Sequence, residues 1–434
     1  MLSNRGQKSA ASQDIPWRFA PGSNNVYDKI SNPKGVISLG TAENNLLQEE
    51  LGQYVAQNVA IPALAFTYRF STMGGPRFPI AMASHLNHYF DPHTPVQADH
   101  ILTGSGLTAI HEMVALSIGD PGDGILVSRP IYGRFELDFG NTAGLNIVYA
   151  DMDGLDPFSP GVASKYQKAL DASAARGIQV KALLIVNPHN PLGRCFPPST
   201  LREIMKLCQQ NSIHLISDEV YALSVYDTGY EESPSFTSVL SIDPTGLIDT
   251  DQLHVLYGMS KDFAAAGLRL GSLITRNQLL RKAVAANFRF HNPSGMSVAI
   301  GTAILEDRAF VDSFIAISRE RLRDSYLYTT QILDHAGIKY QKGGNAGFFL
   351  YVDLSPWLVE VPSGDGGGEN EAEYALAQRL LDGGVGLHPC EEHGEKRGHF
   401  RLVFSHQRDV LAEGLKRLCV VLQTPVAESK TLAD

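Results

Sequence analysis

Short apolar runs alternate with amphipathic helical patterns along the chain from about residue 100 onward. Such alternation is typical of βαβ units and indicates an α/β fold around a mainly parallel sheet. Several of the apolar runs end in polar residues, at the edge where open α/β sheets bind their ligands. The predicted strands are residues 124–128, 146–149, 181–187, 214–218, 253–257 and 271–275.

Helical spacing of apolar residues predicts helices between these strands. Thr200 and Glu203 fit a capping box that opens one helix. A long helical stretch from residue 297 to about 336 is predicted to connect the sheet domain to a smaller C-terminal domain, and the glycine-rich residues 363–371 to form a solvated loop. Another helix has one apolar face, which we expect to lie in the core: Leu107, Ile110, Val114 and Ile118.

The composition is that of an ordinary soluble globular protein, with 44% hydrophobic and 19% charged residues among 434. This length suggests two or three domains. A formal net charge of −10 disfavours a nucleic-acid partner. The sequence has no apolar run of about 18 residues and no apolar leader pattern, so we expect no membrane segment and a cytoplasmic protein. The cysteines lack paired spacing, which favours free thiols over a zinc or disulfide site: Cys195, Cys208, Cys390 and Cys419.

The segment from 257 to 271 carries the first chemical signal, because Arg269 follows Lys261 by eight positions and Ser260 precedes it. A deprotonated lysine forms a Schiff base with an aldehyde, and burial beside other cations lowers its pKa toward that state. The planar guanidinium of Arg269 and the Ser260 hydroxyl suit a phosphate dianion. Pyridoxal 5'-phosphate (PLP) carries both groups. On spacing alone, ordinary surface cations on a helix are the simpler interpretation of Lys261 and Arg269, and the other segments of the chain decide against it.

Polar residues after two neighbouring predicted strands add to this hypothesis. Asn190 lies in a turn with two Asn-Pro pairs, which can fix its amide as a donor to a phenolate oxygen or form a plain turn. Asp218 ends an apolar strand, where a buried carboxylate needs a cation such as a protonated pyridine nitrogen. Tyr221, three residues on, can reach the neighbouring phenolate oxygen. We expect Glu219 to be structural.

Three further segments are weaker evidence for a PLP site when each is taken alone. Gly104 and Gly106 precede a helix whose free backbone N–H groups, with the Thr108 hydroxyl, suit a phosphate, although such loops are common. Tyr132 follows a predicted strand and can stack on a pyridine ring or pack in the core. Arg401, in an alternating strand, can bind a substrate carboxylate with two hydrogen bonds or form a structural salt bridge.

In this order, the segments resemble the fold-type I PLP-dependent enzymes of the class I/II aminotransferase family, over roughly residues 35–410. The resemblance implies a mainly parallel seven-stranded sheet in a large PLP-binding domain, residues 45–300. It also implies a smaller α+β domain, built from an N-terminal segment, residues 1–44, and the C-terminal residues 301–434.

The resemblance also implies a role for each residue singled out above. Lys261 would be the Schiff-base lysine and proton shuttle, and Asp218 would bind the pyridine nitrogen. Asn190 and Tyr221 would bind the phenolate oxygen, and Tyr132 would stack on the ring. Arg401 would bind the substrate carboxylate. The implied phosphate ligands are Leu107, Thr108, Ser260 and Arg269.

Residues 32–46 resemble the 1-aminocyclopropane-1-carboxylate synthase branch, in which a glutamate at the place of Glu43 lies by the substrate's amino and sulfonium end. An exposed glutamate at a helix start is the simpler alternative. Thr72 stands where that branch has a tyrosine reaching the partner subunit's site, and Tyr68 is a possible substitute. Gly258 replaces a serine that binds the phosphate.

The resemblance implies an enzyme acting on an α-amino acid through an external aldimine and a quinonoid. We expect an aminotransferase or carbon–sulfur lyase acting on a sulfur-containing or bulky substrate of secondary metabolism, in a homodimer with shared sites. The alternatives are a 1-aminocyclopropane-1-carboxylate synthase acting on S-adenosylmethionine and a PLP-binding protein without catalysis.

Overall fold

The computed structural model describes residues 1–11, 25–230, 233–358, 371–389 and 397–424. The predicted loop at 363–371 therefore lies outside the described residues, except for Glu371, which begins a helix. Cys390 also lies outside them. The other three cysteines are buried free thiols.

The strands are short and mostly buried. In chain order they are β1 (Ile37–Ser38), β2 (Ile101–Gly104), β3 (Gly124–Ser128), β4 (Asn146–Ala150), β5 (Val180–Val186), β6 (His214–Asp218), β7 (Leu253–Gly258), β8 (Gly271–Thr275), β9 (Lys339–Tyr340), β10 (Phe349–Asp353), β11 (Val385–Gly386), β12 (His388–Pro389) and β13 (His399–Val403). All six predicted strands are confirmed and lie in the main sheet, which also contains β2, a strand that was not predicted.

The main sheet contains seven strands in the order β2-β8-β7-β6-β5-β3-β4. The pairs β3–β4, β3–β5, β5–β6 and β6–β7 are parallel. Strand β8 is antiparallel to both β7 and β2 and so runs opposite to the other six. The predicted α/β class with a mainly parallel sheet is confirmed.

This topology brings many chain segments to one edge of the sheet. The carboxyl ends of β2, β3, β5, β6 and β7 point to that edge, and the reversed β8 begins there. Asp218 ends β6, the central strand. We therefore expect a ligand site along this edge, as in other open α/β sheets.

The helices cover both faces of the sheet and extend beyond it. In chain order they are α1 (Asn4–Ala11), α2 (Gln48–Asn58), α3 (Tyr68–Ser71), α4 (Phe78–Tyr89), α5 (Leu107–Ile118), α6 (Phe135–Gly140), α7 (Val162–Ala175), α8 (Pro198–Gln210), α9 (Gln278–Ala286), α10 (Phe288–His291), α11 (Gly295–Glu306), α12 (Arg308–His335), α13 (Glu371–Asp382) and α14 (Arg408–Leu422).

Alternate residues of the strands pack in two separate cores. Ile125 and Val127 of β3 lie in the core under α5, α6 and α9, whereas Leu126 lies in the core under α4, α7 and α8. Successive side chains of a strand point to opposite faces, so a sheet that is covered on both sides needs continuous apolar strands. This explains why the predicted strands read as unbroken apolar runs.

A second group of strands lies outside the main sheet. The antiparallel sheet β12-β13-β10-β9 pairs Tyr351 of β10 with Arg401 of β13. The short strand β1 is parallel to β11, which joins residues near the N-terminus to residues near the C-terminus. The boundaries at residues 44 and 300 remain predictions.

Two local predictions were wrong. Thr200 does not cap α8: it is buried inside the helix, where its Oγ1 donates to the Phe158 carbonyl at 2.6 Å, and Pro198 occupies the first turn. The long helix is also two helices, α11 and α12, because Asp307 leaves the helical conformation and its carboxylate accepts from the Phe310 N–H at 3.0 Å. Helical periodicity on both sides of this break concealed it.

Among the described residues, no helix has the length and apolar character needed to cross a membrane.

Candidate active site

A cavity of about 350 Å³ lies along the edge of the main sheet where β5, β6 and β7 end. It falls within the usual range of ligand pockets, about 300–1,000 Å³. Each residue predicted for the site lines it: Glu43, Leu107, Thr108, Tyr132, Asn190, Asp218, Tyr221, Ser260, Lys261, Arg269 and Arg401.

Lys261 lies in the connection between β7 and β8, and its amine donates to the Ala42 carbonyl. Desolvation lowers the pKa of this amine to about 8, and the positive charge of Arg401 acts in the same direction. The negative charges of Glu43 and Asp218 oppose this shift without reversing it. An amine with this pKa loses its proton near neutral pH far more readily than an ordinary lysine does, as a nucleophile requires.

A buried network holds the segment that follows Lys261. The Asp262 carboxylate accepts from the Leu223 N–H at 3.0 Å, the Ser224 hydroxyl at 2.6 Å and the Tyr257 hydroxyl at 3.0 Å. Burial raises the pKa of Asp262 to about 6, and these donors oppose the shift. Asp262 thereby ties the lysine loop to the loop after Tyr221.

Asp218 is buried at the floor of the cavity, with 6% of its surface exposed. Desolvation raises its pKa, and the nearby charges of His111 and Lys261 oppose the rise. Its neighbour Glu219 points elsewhere and accepts from Ser217, Ser238 and Val239, which confirms its structural role.

Asn190 and Tyr221 lie at the same end of the cavity and are both buried. Asn190 occupies the turn after β5, where both Asn-Pro peptide bonds are cis. Its Oδ1 accepts from Arg401 at 3.1 Å, so its NH₂ group is the part left to donate to a ligand. Desolvation raises the pKa of Tyr221, which favours the neutral hydroxyl, a donor.

The start of α5 and the lysine loop meet at the wall of the cavity. Gly106 precedes α5 with a φ of +89°, and a Cβ there would lie 2.5 Å from the Arg269 guanidinium. A Cβ on Gly271 would lie 2.5 Å from the Leu107 nitrogen. The two glycines let these loops approach closely, and the N-terminus of α5, Thr108 and Arg269 can act together on an anion.

Gly258 has no space for the serine found at its place in the family that the sequence resembles. A Cβ there would lie 2.5 Å from the Leu270 carbonyl oxygen and 3.0 Å from the Gly271 Cα. Glycine at 258 therefore matches the close pairing of β7 with β8, in which Gly258 is opposite Gly271.

Arg401 lies on β13 and is only 4% exposed. Its Nη1 donates to Asn190, and its Nη2 donates to the Gly40 carbonyl at 2.7 Å. Both acceptors are neutral, and these two bonds orient the guanidinium toward the cavity that Arg401 lines. Glu43, three residues after Gly40, is exposed at the cavity wall.

Five further residues with polar side chains line the cavity and were not predicted from the sequence: Thr41, His111, Arg134, Asp138 and His388. His111 lies within the apolar stripe of α5, which concealed it. Its Nδ1 lies 2.8 Å from Asp138 Oδ2, and its Nε2 lies 3.8 Å from Asp218 Oδ2.

The donors and acceptors of this cavity fit PLP. A lysine amine of lowered pKa suits the aldehyde, and a helix N-terminus with Arg269 suits the phosphate. The buried carboxylate of Asp218 needs a cationic partner, as a protonated pyridine nitrogen would be.

Comparison with known proteins agrees with this fit. The family model "Aminotransferase class I and II" matches residues 35–418. A bovine relative, 1-aminocyclopropane-1-carboxylate synthase-like protein 1, is 32% identical over 411 residues, covering 92% of this chain and 78% of the relative. Rice 1-aminocyclopropane-1-carboxylate synthase 6 is 28% identical over 416 residues, covering 90% and 74%.

A solved structure shows the same fold. Aspartate aminotransferase from Thermus thermophilus, determined with maleate, superposes with a TM-score of 0.71 at 20% sequence identity, covering 97% of this chain and 99% of that one. The family match extends over most of the sequence and includes every predicted site residue. The chain therefore belongs to the aminotransferase class I and II family, and PLP is its cofactor.

Proposed function

We propose that this protein is an enzyme that removes the Cα proton of an α-amino acid, with Lys261 as the base. The observation that supports this proposal is the position of the Lys261 amine. It lies in the cavity with Asp218 and Arg401, and its pKa is lowered to about 8. A base whose pKa lies near the working pH is the most effective in proton transfer.

The other residues bind and orient the reactants. Arg401, held by Asn190 and Gly40, binds the substrate carboxylate and so places Cα near the lysine amine. Asp218 holds a proton at the ring nitrogen. Asn190 and Tyr221 donate to the phenolate oxygen. When bound, PLP supplies an aldehyde for the amine and an electron sink for the carbanion.

The leading outcomes are transamination and carbon–sulfur bond cleavage, on a sulfur-containing or bulky substrate of secondary metabolism. The exposed carboxylate of Glu43 favours a substrate with a cationic group, since opposite charges attract across a pocket wall. This supports a second candidate, ring closure on S-adenosylmethionine to give 1-aminocyclopropane-1-carboxylate, the compound in the name of the rice relative.

One set of incubations separates these outcomes. The protein is given an S-substituted cysteine with and without 2-oxoglutarate, and S-adenosylmethionine separately. Transamination requires the keto acid and yields glutamate. Carbon–sulfur cleavage yields thiol, ammonia and pyruvate without it, and ring closure yields 1-aminocyclopropane-1-carboxylate. Lys261→Ala is the control. No visible cofactor absorption, or an unchanged band in Lys261→Ala, would contradict the proposal.

We further propose a homodimer. Leu64, Phe66, Tyr68 and Phe290 are exposed apolar residues, of which Tyr68 is 98% and Phe290 79% exposed. The turn from Ala63 to Phe66 packs on the start of α11, where a Cβ on Gly295 would overlap the Ala65 carbonyl, and α11 follows α10, which carries Phe290. Exposed apolar surfaces of this kind usually mark interfaces, and a second copy matches the closed symmetry of most oligomers.

A further inference from the structure

His111 lies between two buried carboxylates. Its Nδ1 is 2.8 Å from Asp138 Oδ2, and its Nε2 is 3.8 Å from Asp218 Oδ2. The side chains of these three residues are exposed by 4%, 6% and 9%, respectively. These three side chains therefore form a row from Asp138 on α6, through His111 on α5, to Asp218 at the end of the central strand.

The arrangement indicates where the imidazole carries protons. An ionised carboxylate only accepts, so the short contact with Asp138 requires a proton on Nδ1. Nε2 is buried and makes no hydrogen bond to any residue that the structure describes. If Nε2 carried a lone pair, that lone pair would be repelled by the Asp218 oxygen 3.8 Å away. If Nε2 carries a proton, the N–H is attracted to the same oxygen. The geometry thus favours an imidazolium between two carboxylates.

The surroundings strengthen these charge interactions. The Phe135 and Phe139 rings lie with centroids 5.3 and 5.4 Å from the imidazole and keep water away from it. The other ionisable groups of the cavity, which act on the same site, are Glu43, Tyr132, Arg134, Tyr221, Lys261, Arg269, His388 and Arg401.

We propose that His111 is a positioning residue that keeps Asp218 ionised and the ring nitrogen of PLP protonated, with Asp138 holding the imidazole in its charged form. This rests on the proposed role of Asp218. Burial raises the pKa of Asp218, and the charge of His111 opposes that rise. Without the positive charge of His111, the Asp218 carboxylate becomes more basic and draws the proton away from the ring nitrogen.

The test uses His111→Asn and Asp138→Asn in the PLP-loaded protein, with two readouts besides activity. One is the pH midpoint of the visible absorption change, which reports protonation of the bond between the Lys261 nitrogen and the cofactor. The other is the nitrogen-15 resonance of PLP labelled in the ring. His254→Asn is the control, because His254 is a fully buried histidine whose partners are His214 and Thr275.

We expect both variants to raise the midpoint by roughly one pH unit and to move the ring resonance toward that of unprotonated PLP. A protonated ring disfavours a second proton at the linkage, so losing the ring proton raises the midpoint. Asp138→Asn is the decisive variant because the two explanations predict opposite signs. If Asp138 acted only through its own negative charge, its removal would lower the midpoint, whereas the loss of the charged imidazole raises it. The double variant should shift no further than either single variant.

An unchanged ring resonance in either variant, or a lowered midpoint in Asp138→Asn, would overturn the inference. Asp138→Asn retains the histidine, so it still tests the proposal if His111→Asn fails to fold. Both readouts need only bound PLP, so they are independent of the reaction outcome. If wild-type protein shows no ring protonation, the assigned role of Asp218 fails, and the inference with it.

Discussion

Nη1 of Arg401 lies 3.1 Å from Oδ1 of Asn190, so the residue proposed to bind the substrate is joined directly to one proposed to bind the cofactor. The two are brought together by β13 and by the turn after β5. A change at Asn190 should therefore also affect Arg401, whereas a change at Arg401 should chiefly affect substrate binding.

Arg401→Lys should raise KM for the amino-acid substrate by roughly tenfold or more and leave PLP affinity nearly unchanged. A lysine ammonium cannot reproduce the planar fork that contacts Asn190, Gly40 and a carboxylate together, and a charge-assisted hydrogen bond contributes about 1.5–3 kcal/mol. Steady-state kinetics and PLP titration measure the two effects.

Asn190→Ala should instead weaken PLP binding and also raise KM, because Arg401 loses an acceptor. Arg408→Lys, on α14 beside Tyr328, is the matched control and should change neither quantity. Equal effects of Arg401→Lys and Arg408→Lys would contradict the assignment of Arg401.

Apo Lys261→Met should be more stable than apo wild type at pH 7, by roughly 1–3 kcal/mol. The folded-state pKa of Lys261 is about 8, below its ordinary value of 10.5. Between these values the unfolded chain binds more protons than the folded one, so wild-type stability rises with pH there. The advantage of the variant should shrink as pH rises from 8 toward 10.5.

Urea unfolding at several pH values measures this difference. A constant difference across that window would show that Lys261 titrates normally in the folded protein.

Gly258→Ser should destabilise the protein by about 1–3 kcal/mol and weaken PLP binding. The added Cβ would press on the Leu270 carbonyl and the Gly271 Cα, which separates β7 from β8 and shifts the lysine loop. Gly267→Ser lies in the same loop with no atom within 4 Å of the added Cβ, and should be near neutral. Thermal unfolding and PLP titration compare the pair; tighter PLP binding in Gly258→Ser would show that the loop adapts.

Phe66→Asp should convert the proposed homodimer to a monomer, because a charge would be buried in an apolar interface. Sedimentation velocity measures the change. Val420→Asp replaces an exposed apolar residue on α14, 59% exposed against 74% for Phe66, and should leave the assembly intact. A wild-type monomer with full activity would contradict the dimer proposal.

Much of the fold could be predicted because the strands of a sheet covered on both faces are continuous apolar runs. Asp218 was detectable for the same reason, as a charge at the end of such a run. Strand β2 was missed because it is four residues long and contains Thr103 and Gly104. Tertiary pairing with β8, rather than local propensity, makes it a strand.

The unpredicted parts of the site depend on contacts between distant segments. His111 lies in an apolar helical stripe, and its spacing gives no sign that Asp138 and Asp218 flank it in the fold. The break at Asp307 was hidden because a single residue can end one helix and cap the next. The Thr200 pattern was misleading because its hydroxyl finds a buried acceptor, Phe158.

The reversed direction of β8 places Lys261 and Arg269 on one connection, whereas Glu43 and Arg401 come from outside the main sheet. The residues proposed to bind the cofactor aldehyde and phosphate and those proposed to select the substrate thus lie in separate segments of the chain. Mutations near Gly40 or in β13 can alter selectivity while the lysine loop is conserved. An architecture divided in this way can diversify its chemistry in small steps without passing through a form that has lost its cofactor.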